Sequence, residues 1–526
     1  VADETEYRLL ENPDGLSGFE QIATITADSV SYDHVVSLPD RINAQYILQS
    51  CNAVGCSDST TVSVTTSLAS AIGYFKASNT DADDDFGVAI SLSGDGNTLV
   101  VGAHSEFSSA TGVDGDQDDN SVIAAGAAYV FIRDGAIWRQ QAYLKASNTH
   151  VRMYFGNTLS LSDDGNTLAV GAYNEDGVVT SSGAVYVFKR TGTTWSQQAY
   201  IKASNIGGQD AFGFALSLSG DGNSLAVGAY NEDSDATVIN GHQANNNRTN
   251  SGAVYLFTRN GDIWSQDAYI KASNAQAGDL FGSDLSLSAD GKTLAVGAGG
   301  KDSRSGAVYV FVHSGTVWSQ QAYIQASNTE AGDQFGSTEG AWTFGTAVSL
   351  SGDGHTLAVG AAFESSNATG INGNQNDNSA SRSGAVYVFT RIGSDWPQQA
   401  YIKASNTDAE DRFGHAVSLS ADGNTLAVGA LGQDSNAIGI NGNQHDKSLA
   451  NSGAVFIFKR NQGSWAQQSF VKASNAGGTD MFGGSVSLSA DGSTLAVGAH
   501  TEDGGATGVD GDQASFVTNS GAVYLY

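Results

Sequence analysis

The chain has 526 residues, with 55 acidic and 24 basic side chains and a net charge of −31. This charge disfavours nucleic acid and anionic membrane surfaces as partners, and no apolar stretch is long enough to insert into a bilayer. Only 15% of the residues are charged while 65 are glycine, which excludes a disordered polyelectrolyte and predicts an all-β protein with many turns.

Residues 1–70 differ from the rest of the chain and contain several short alternating segments typical of strands. Cys51 and Cys56 lie five positions apart across a strand-to-turn bend, where they can close a small disulfide in an oxidising compartment. Two buried free thiols are the alternative. The segment resembles the second half of a fibronectin type III domain, with Tyr46 at the tyrosine position of that family's F strand. The resemblance implies a small partial β-sandwich and a longer multidomain protein.

From residue 71 to the end, one pattern occurs seven times. It consists of Phe-Gly, an alternating strand, an Asp-Gly turn, a strand ending in Gly-Ala, and a strand that begins Gly-Ala or a close variant. A repeat that cannot bury its own faces must stack on its neighbours, so the pattern predicts a radial array of sheets. The Phe-Gly steps are Phe86-Gly87, Phe155-Gly156, Phe212-Gly213, Phe281-Gly282, Phe344-Gly345, Phe413-Gly414 and Phe482-Gly483.

Each repeat contains four predicted strands, and four antiparallel strands repeated radially make a propeller. Six repeats carry a tryptophan in the fourth strand, whereas the seventh ends at Tyr526 after its third strand. Residues 72–79 match the fourth-strand segment 401–406 in sequence. We therefore expect residues 72–79 to complete the last blade, giving a seven-bladed β-propeller over residues 71–526.

The Phe-Gly step followed by Leu-Ala-Val-Gly-Ala resembles the FG-GAP pattern, of the type that forms the head of integrin α chains. The resemblance implies a propeller that serves extracellular recognition. Calcium-binding members of that family carry an Asp-x-Asp/Asn-x-Asp-Gly loop between strands one and two. Here the loop keeps only the final Asp-Gly, as at Asp422-Gly423. One carboxylate cannot supply the six to eight oxygens that calcium prefers, so we expect Asp422 to act as a turn former.

Five connections between strands two and three are long and contain a shared Asp/Asn-Gly-Asp/Asn-Gln motif, or a close variant. One interpretation is a ring of oxygen donors that binds calcium or a ligand. The other is an Asx turn satisfied by its own backbone, with the glycine at positive φ. The long loops are 104–125, 230–251, 362–383, 431–452 and 500–520. The candidate calcium ligands are Asp114, Asp116, Asp118, Asp510 and Asp512, of which Asp114 and Asp510 are also candidate ligand-binding residues.

Two further sets of acidic residues recur. A glutamate follows the Gly-Ala step in five repeats, and we expect these side chains to line the channel mouth. The first and last blades are neighbours in a closed propeller, so two of these glutamates and two histidines would form a candidate zinc site. The alternative is that these side chains are exposed and bind no metal. The zinc ligands would be His104, Glu106, His500 and Glu502. The second set is an aspartate two residues before Phe, which we expect to bind backbone N–H groups with help from lysines. It comprises Asp84, Asp210, Asp279, Asp333, Asp411 and Asp480.

One repeat contains an insertion between Phe335-Gly336 and the second Phe-Gly step. It includes Glu339 and Trp342, the one tryptophan outside the fourth-strand position. An exposed tryptophan beside acidic groups suits stacking on a sugar ring or capture of a side chain. A tryptophan packed under its own loop is the alternative.

No catalytic motif stands out against the repeats, which favours a protein that is not an enzyme. We expect a secreted or cell-surface adhesion module that binds a glycan or a surface protein through the acidic, loop-rich face, with calcium as the candidate cofactor. The alternatives are a purely structural unit of a multidomain surface fibre and a polysaccharide-active enzyme.

Overall fold

The computed structural model describes residues 4–32, 34, 36, 41, 43–64, 72–177, 179–337 and 345–526. Strands in the first part of the chain form one five-stranded sheet, in the order β2-β1-β3-β4 with β5 also paired to β3. Cys51 and Cys56 face each other across β3 and β4 and form the predicted disulfide. The strands are β1 (Glu6–Asn12), β2 (Glu20–Thr26), β3 (Gln45–Asn52), β4 (Gly55–Asp58) and β5 (Val62–Ser63).

The sandwich expected for residues 1–70 is not present among the described strands. Each added strand pairs with an edge of the β1–β3 pair, so the hydrogen bonds extend one sheet instead of building a second one that faces it. The fibronectin type III resemblance stays a prediction.

The rest of the chain folds into seven four-stranded antiparallel sheets, which we call blades 1 to 7. Blades 1 to 3 are β7 (Ala89–Leu92), β8 (Thr98–Ala103), β9 (Ala127–Asp134), β10 (Ile137–Leu144); β11 (Leu159–Leu161), β12 (Thr167–Ala172), β13 (Ala184–Thr191), β14 (Thr194–Ile201); and β15 (Leu216–Leu218), β16 (Ser224–Ala229), β17 (Ala253–Asn260), β18 (Ile263–Ile270). Blades 4 and 5 are β19 (Phe281–Leu287), β20 (Thr293–Ala298), β21 (Ala307–His313), β22 (Trp318–Ile324); and β23 (Val348–Leu350), β24 (Thr356–Ala361), β25 (Ala385–Thr390), β26 (Gln398–Ile402). Blades 6 and 7 are β27 (Phe413–Leu419), β28 (Thr425–Ala430), β29 (Ala454–Asn461), β30 (Ser464–Val471); and β31 (Ser485–Leu488), β32 (Leu495–Ala499), β33 (Ala522–Leu525), β6 (Gly73–Phe75). A short helical turn, Lys301–Arg304, lies in blade 4.

Blade 7 takes its fourth strand from the front of the repeat region, as the sequence predicts. β6 pairs antiparallel with β33, and Tyr74 lies opposite Tyr524. Contacts between blades 7 and 1 then repeat those between the other blades. Ser487 Oγ accepts the backbone N–H of Leu92, and equivalent serines accept the equivalent leucine N–H at every other junction.

A ring of backbone hydrogen bonds joins the seven hairpin turns between strands one and two. Each turn donates an N–H to a carbonyl of the next turn at 2.8–2.9 Å, and the seventh, from Ala490, donates to Gly94 of the first. The ring passes through Gly94, Asp163, Gly220, Ala289, Gly352, Ala421 and Ala490.

Seven apolar clusters lie between neighbouring blades, one at each junction. The phenylalanine of each described Phe-Gly step packs edge-on against the aromatic side chain of the third strand, as Phe155 does against Tyr186. The glycine of the Gly-Ala step lets the next blade approach. A Cβ on Gly102 would lie 2.0 Å from the carbonyl oxygen of Gly156, which explains why this position is glycine in all seven repeats.

Blade 5 uses a different Phe-Gly step from the predicted Phe344-Gly345. Phe335 packs against Tyr387, and the Gly336 N–H donates to the Gly360 carbonyl as in the other blades. The inserted residues therefore follow the Phe-Gly step and precede β23. Phe344 lies outside the described residues.

Candidate functional site

The five long loops are attached to the outer strands of their own blades. In blade 1, the Asp114 N–H donates to the Tyr143 carbonyl at 2.8 Å, and Asp114 Oδ1 accepts the Tyr143 N–H at 2.9 Å. Asp114 has φ 53°, a left-handed conformation that Asn and Asp tolerate better than most residues. The same pair of bonds is formed by Asn240, Asn372, Asn441 and Asp510. The first polar residue of the loop motif is therefore a cap on the fourth strand.

The predicted Asx turn is present at the third position of the motif in four of the five loops. Asp116 Oδ1 accepts the N–H of Asp118 at 3.2 Å, and equivalent residues do the same. The glycine between the two polar residues does not take positive φ, contrary to the prediction. It is needed because a Cβ on Gly115 would lie 2.8 Å from the Cβ of Ala110.

The glutamine that ends the motif joins neighbouring blades. Gln117 Oε1 accepts the Ser78 hydroxyl at 2.6 Å, and its carbonyl accepts the Asn79 side-chain N–H at 2.7 Å. Ser78 and Asn79 belong to the recurrent Lys-Ala-Ser-Asn sequence that follows each fourth strand or its equivalent. Similar pairs occur at Gln243, Gln375 and Gln444. These bonds fix the long loops on one face of the propeller, which we call the loop-rich face.

The recurrent glutamates do not line the channel mouth. Glu106 is buried and accepts the Tyr143 hydroxyl at 2.7 Å and the Lys145 ammonium at 2.7 Å. The lysines predicted to assist the recurrent aspartates bind these glutamates instead, because both side chains are buried in the same blade and each neutralises the other. The equivalent pairs are Glu175–Lys202, Glu232–Lys271, Glu364–Lys403 and Glu502–Lys76.

The recurrent aspartates accept backbone N–H groups, as predicted. Asp84 Oδ2 accepts the Asp81 N–H at 3.1 Å. Burial, and then the nearby Glu106 charge, raise the pKa of Asp84 to about 8. Burial likewise raises the pKa values of four further members of the set to about 7. They are Asp210, Asp333, Asp411 and Asp480.

Blade 4 reverses this charge pattern. Lys301 occupies the glutamate position and Gln325 the lysine position. The Lys301 ammonium donates to Asp279 Oδ2 and to the Asn274 carbonyl, each at 3.0 Å. Blade 4 thus satisfies its recurrent aspartate with an ammonium group from its own chain.

Blade 6 lacks the two tyrosine hydroxyls and the glutamate carboxylate that blades 1, 2, 3, 5 and 7 share. Gln433 replaces the glutamate, while Phe456 and Phe470 replace tyrosines. Lys472 donates to the Ser452 hydroxyl and to the Gly453 carbonyl, and burial lowers its pKa to about 7. Asn406 Oδ1, which accepts a tyrosine hydroxyl in the equivalent position of other blades, is buried with no hydrogen-bond partner.

A polar cavity of about 280 Å³ lies at this junction between blades 5 and 6 on the loop-rich face. Its lining includes Asn406, Asp411, Gln433 and Asp434, together with residues of both neighbouring long loops. A second cavity of about 250 Å³ lies among the innermost strands. There Asp284 accepts three backbone N–H groups, two of them from residues 347 and 348, and burial raises its pKa to about 7.

Comparison with known families agrees with this repeated geometry. The FG-GAP repeat profile matches residues 138–188, 195–257, 264–311, 396–458 and 465–526, more than half of the chain. The chain belongs to the FG-GAP repeat family. Each matched segment begins at a fourth-strand tryptophan and ends in, or one residue after, the third strand of the following blade, so the FG-GAP unit is offset by one strand from the blade. The same offset leaves blade 7 to be completed by β6.

No curated protein matches the FG-GAP chain. Among solved structures, a candidate 6-phosphogluconolactonase from Bacteroides uniformis aligns with 90% of this chain and 98% of its own, at 12% identity and a TM-score of 0.44. FG-GAP repeats are non-catalytic propeller units typical of extracellular proteins. No helix in the described parts of the chain is long and apolar enough to cross a membrane.

The candidate metal ligands of the FG-GAP propeller do not converge. Within the described residues, no group of three or more His, Cys, Asp or Glu side chains can hold a metal ion. Glu106 and Glu502 are paired with their lysines, whereas His104 and His500 lie near enough to each other that the charge of His500, after burial, lowers the pKa of His104. Burial lowers the pKa values of these two histidines to about 3 and about 4. The calcium candidates Asp114, Asp116, Asp510 and Asp512 each bind backbone N–H groups, and with Asp118 they do not fit a calcium site.

Two candidate ligand-binding residues, Glu339 and Trp342, lie outside the described residues. The departures at Lys301, Gln433 and Phe456 were not predicted from the repeat pattern. Alignment of the seven repeats shows each as a position where one blade differs from the others in charge or hydroxyl content.

Proposed function

We propose that this propeller is an extracellular recognition module that binds a glycan or a surface protein through its loop-rich face. The observation that carries the proposal is the anchoring of the five long loops. All five loops are bonded both to an outer strand and to the neighbouring blade, so that they present polar side chains from a fixed support. Binding residues are commonly placed on loops held by such a scaffold.

The loop-rich face offers oxygen and amide groups suited to polar ligands. Asp116, Asp118, Asp512 and His445 are exposed on these loops, while the bonds described above hold the surrounding backbone. Preorganised loops lose less conformational entropy on binding than free ones. An acidic surface favours cationic or neutral partners over anionic ones.

Binding of the full chain to glycan and surface-protein arrays, with and without chelator, tests the proposal. The double variant Asp116→Ala/Asp118→Ala and the variant His445→Ala change exposed loop groups. Asp134→Ala and Asp262→Ala are matched controls in turns at the opposite end of the blades. We expect a ligand whose binding is weakened by the loop variants and kept by the controls. Absence of any ligand, or equal loss in both sets, would contradict the proposal.

A further inference from the structure

Blade 6 places a buried lysine against a neutral side chain. Lys472 and Gln433 are 0% and 3% exposed, and Lys472 Nζ lies 3.5 Å from Gln433 Oε1. In blades 1, 2, 3, 5 and 7 the equivalent lysine meets a glutamate carboxylate instead. A carboxylate anion resists attack by an amine, whereas a carboxamide is an acyl group that an amine can attack. The change from glutamate to glutamine therefore puts a nucleophile beside an electrophile.

The surroundings of Lys472 favour its uncharged form. Burial lowers the pKa of Lys472 to about 7. The two shorter contacts of its Nζ are to the Ser452 hydroxyl and to the Gly453 carbonyl. An uncharged amine has two hydrogens, and these two acceptors use both of them. The lone pair is then left for the Gln433 side, and a desolvated lysine amine is a competent nucleophile.

The carboxamide of Gln433 is held by hydrogen bonds at both ends. Its Oε1 accepts the Ser435 N–H at 3.1 Å, and a backbone donor in this position stabilises negative charge that develops on the oxygen. Its Nε2 donates to the Gln444 carbonyl at 3.4 Å. Gln433 and Gln444 both line the polar cavity of about 280 Å³ between blades 5 and 6, so a small leaving group has room to depart.

Asp411 is placed to carry protons between these groups. It is 3% exposed and lines the same cavity as Gln433, and its charge acts on Lys472. In blade 4 the side chain at the Gln433 position is Lys301, which reaches the equivalent aspartate at 3.0 Å. Burial raises the pKa of Asp411 to about 7, so at neutral pH this carboxyl can both give and take a proton.

We propose that Gln433 and Lys472 form an intramolecular isopeptide bond, a modification that is independent of the proposed recognition function. The Lys472 amine attacks Cδ of Gln433 and forms a Cδ–Nζ amide. The Cδ–Nε2 bond breaks, and its electron pair leaves with Nε2. Asp411 gives a proton to Nε2 and takes one from Nζ, so the carboxyl ends as it began and one ammonia is released. The exchange of one amide for another involves no oxidation or reduction.

The bond would fix the base of one long loop. Gln433 follows β28 and Lys472 follows β30, so the amide would join the start of the loop 431–452 to the outer strand of blade 6. The two residues are 39 positions apart. Cleavage of the chain between them would leave two fragments that are still covalently joined.

Intact-mass measurement of the reduced full chain, after incubation at neutral pH, tests the bond. We expect a mass about 17 Da below that of the sequence, which is the mass of one ammonia, and a cross-linked peptide that contains Gln433 and Lys472. Lys472→Met removes the nucleophile, and Gln433→Glu recreates the glutamate of the other blades. Both variants are expected to keep the full mass of their own sequences. Thermal unfolding of each variant verifies that it is folded.

Asp411→Asn tests the proton carrier, and Asp333→Asn makes the same change in blade 5. We expect Asp411→Asn to slow bond formation by roughly a hundredfold and Asp333→Asn to leave the rate unchanged. Blade 2 has Met153 at this position, so the fold accepts an uncharged side chain there.

Peptide mapping distinguishes the bond from a succinimide at Asn441-Gly442, whose formation also releases one ammonia. A parent chain at full mass would overturn the inference, and so would a mass loss that maps to Asn441. Equal rates in Asp411→Asn and Asp333→Asn would overturn the role given to Asp411.

Discussion

Glu106 Oε2 lies 2.7 Å from Lys145 Nζ, and the two side chains are 1% and 0% exposed. Breaking a buried ion pair from one side leaves an unpaired charge. We therefore expect Glu106→Gln to destabilise the fold by about 3 kcal/mol, measured by urea denaturation. Blade 6 contains this arrangement naturally, and there burial lowers the pKa of Lys472 to about 7.

The matched change on the surface is Asp262→Asn, which breaks the exposed Lys189–Asp262 pair. Exposed pairs contribute about 0–1 kcal/mol, so this variant should stay within about 1 kcal/mol of the parent. Similar losses in both variants would show that the buried pair contributes no more to the free energy of unfolding than the exposed pair does.

Asp84 links stability to pH. Its pKa is raised from 3.8 to about 8 in the folded chain, so the folded form holds a proton that the unfolded form releases. The stability it contributes is present below pH 4 and is lost as pH rises through 8. We expect Asp84→Asn to lose less stability than the parent between pH 5 and pH 8, by on the order of 4 kcal/mol.

Urea denaturation at the two pH values measures this difference. The equivalent position in blade 2 is Met153, which shows that the framework accepts an uncharged side chain there. Parallel pH curves for the parent and Asp84→Asn would refute the assignment of the proton to this residue.

Asn372 holds the long loop of blade 5 against β26. Its Oδ1 accepts the Tyr401 N–H at 2.9 Å, and its φ is 56°. Asn372→Ala removes the acceptor and places alanine in a left-handed conformation, at a cost of about 1–2 kcal/mol. Limited proteolysis with mass spectrometry should show faster cleavage within residues 362–383.

Asn372→Asp is the control, because Asp114 and Asp510 fill the same position in blades 1 and 7. We expect it to be cleaved at the rate of the parent. Rapid cleavage of both variants would mean that the hydrogen bond to the side chain at position 372 does not hold the loop against β26.

Gly73 and Leu525 join the two ends of the repeat region. A Cβ on Gly73 would lie 3.4 Å from the Cβ of Leu525, close to the spacing in disulfides, and 2.9 Å from Cε2 of the buried Phe75, whose ring has to shift to admit it. The variant Gly73→Cys/Leu525→Cys should therefore form a disulfide, with a gain below the roughly 4 kcal/mol of an unstrained bond because the Phe75 ring must move and the buried Leu525 side chain is lost. Non-reducing electrophoresis and peptide mapping detect the bond.

Gly73→Cys/Tyr526→Cys provides the comparison, since successive side chains of a strand point to opposite faces. It should remain unlinked under the same conditions. Linkage of this variant alone would place β6 in a different register against β33.

The number of blades and the role of residues 72–79 could be predicted because each repeat indicates the same strand order independently. Seven copies of the Phe-Gly and Gly-Ala steps indicate the same strand order, and the missing fourth strand of blade 7 has a clear match near Tyr74. The sequence was not enough to identify the Phe-Gly step of blade 5, where Phe344-Gly345 was predicted and Phe335-Gly336 is used. Two such steps occur there, and only packing of Phe335 against Tyr387 distinguishes them.

The polar network was less predictable, because spacing along the chain does not specify partners across it. Glu106 and Lys145 are 39 residues apart, and the sequence alone suggested an exposed glutamate. The motif at Asp114 predicted either metal binding or a turn. Its actual bond to the Tyr143 backbone depends on how the long loop returns along the outer edge of the blade.

The ring of amide bonds through Gly94 and Asp163 has a consequence for how this chain can change over evolutionary time. Every repeat contributes one donor and one acceptor, so the circle is complete with seven members. A duplication or deletion of one repeat would have to alter every angle around the axis. Replacement of one repeat by another keeps the number of turns in the ring at seven. Recombination within the array can thus change the loop sequences while the blade number stays constant.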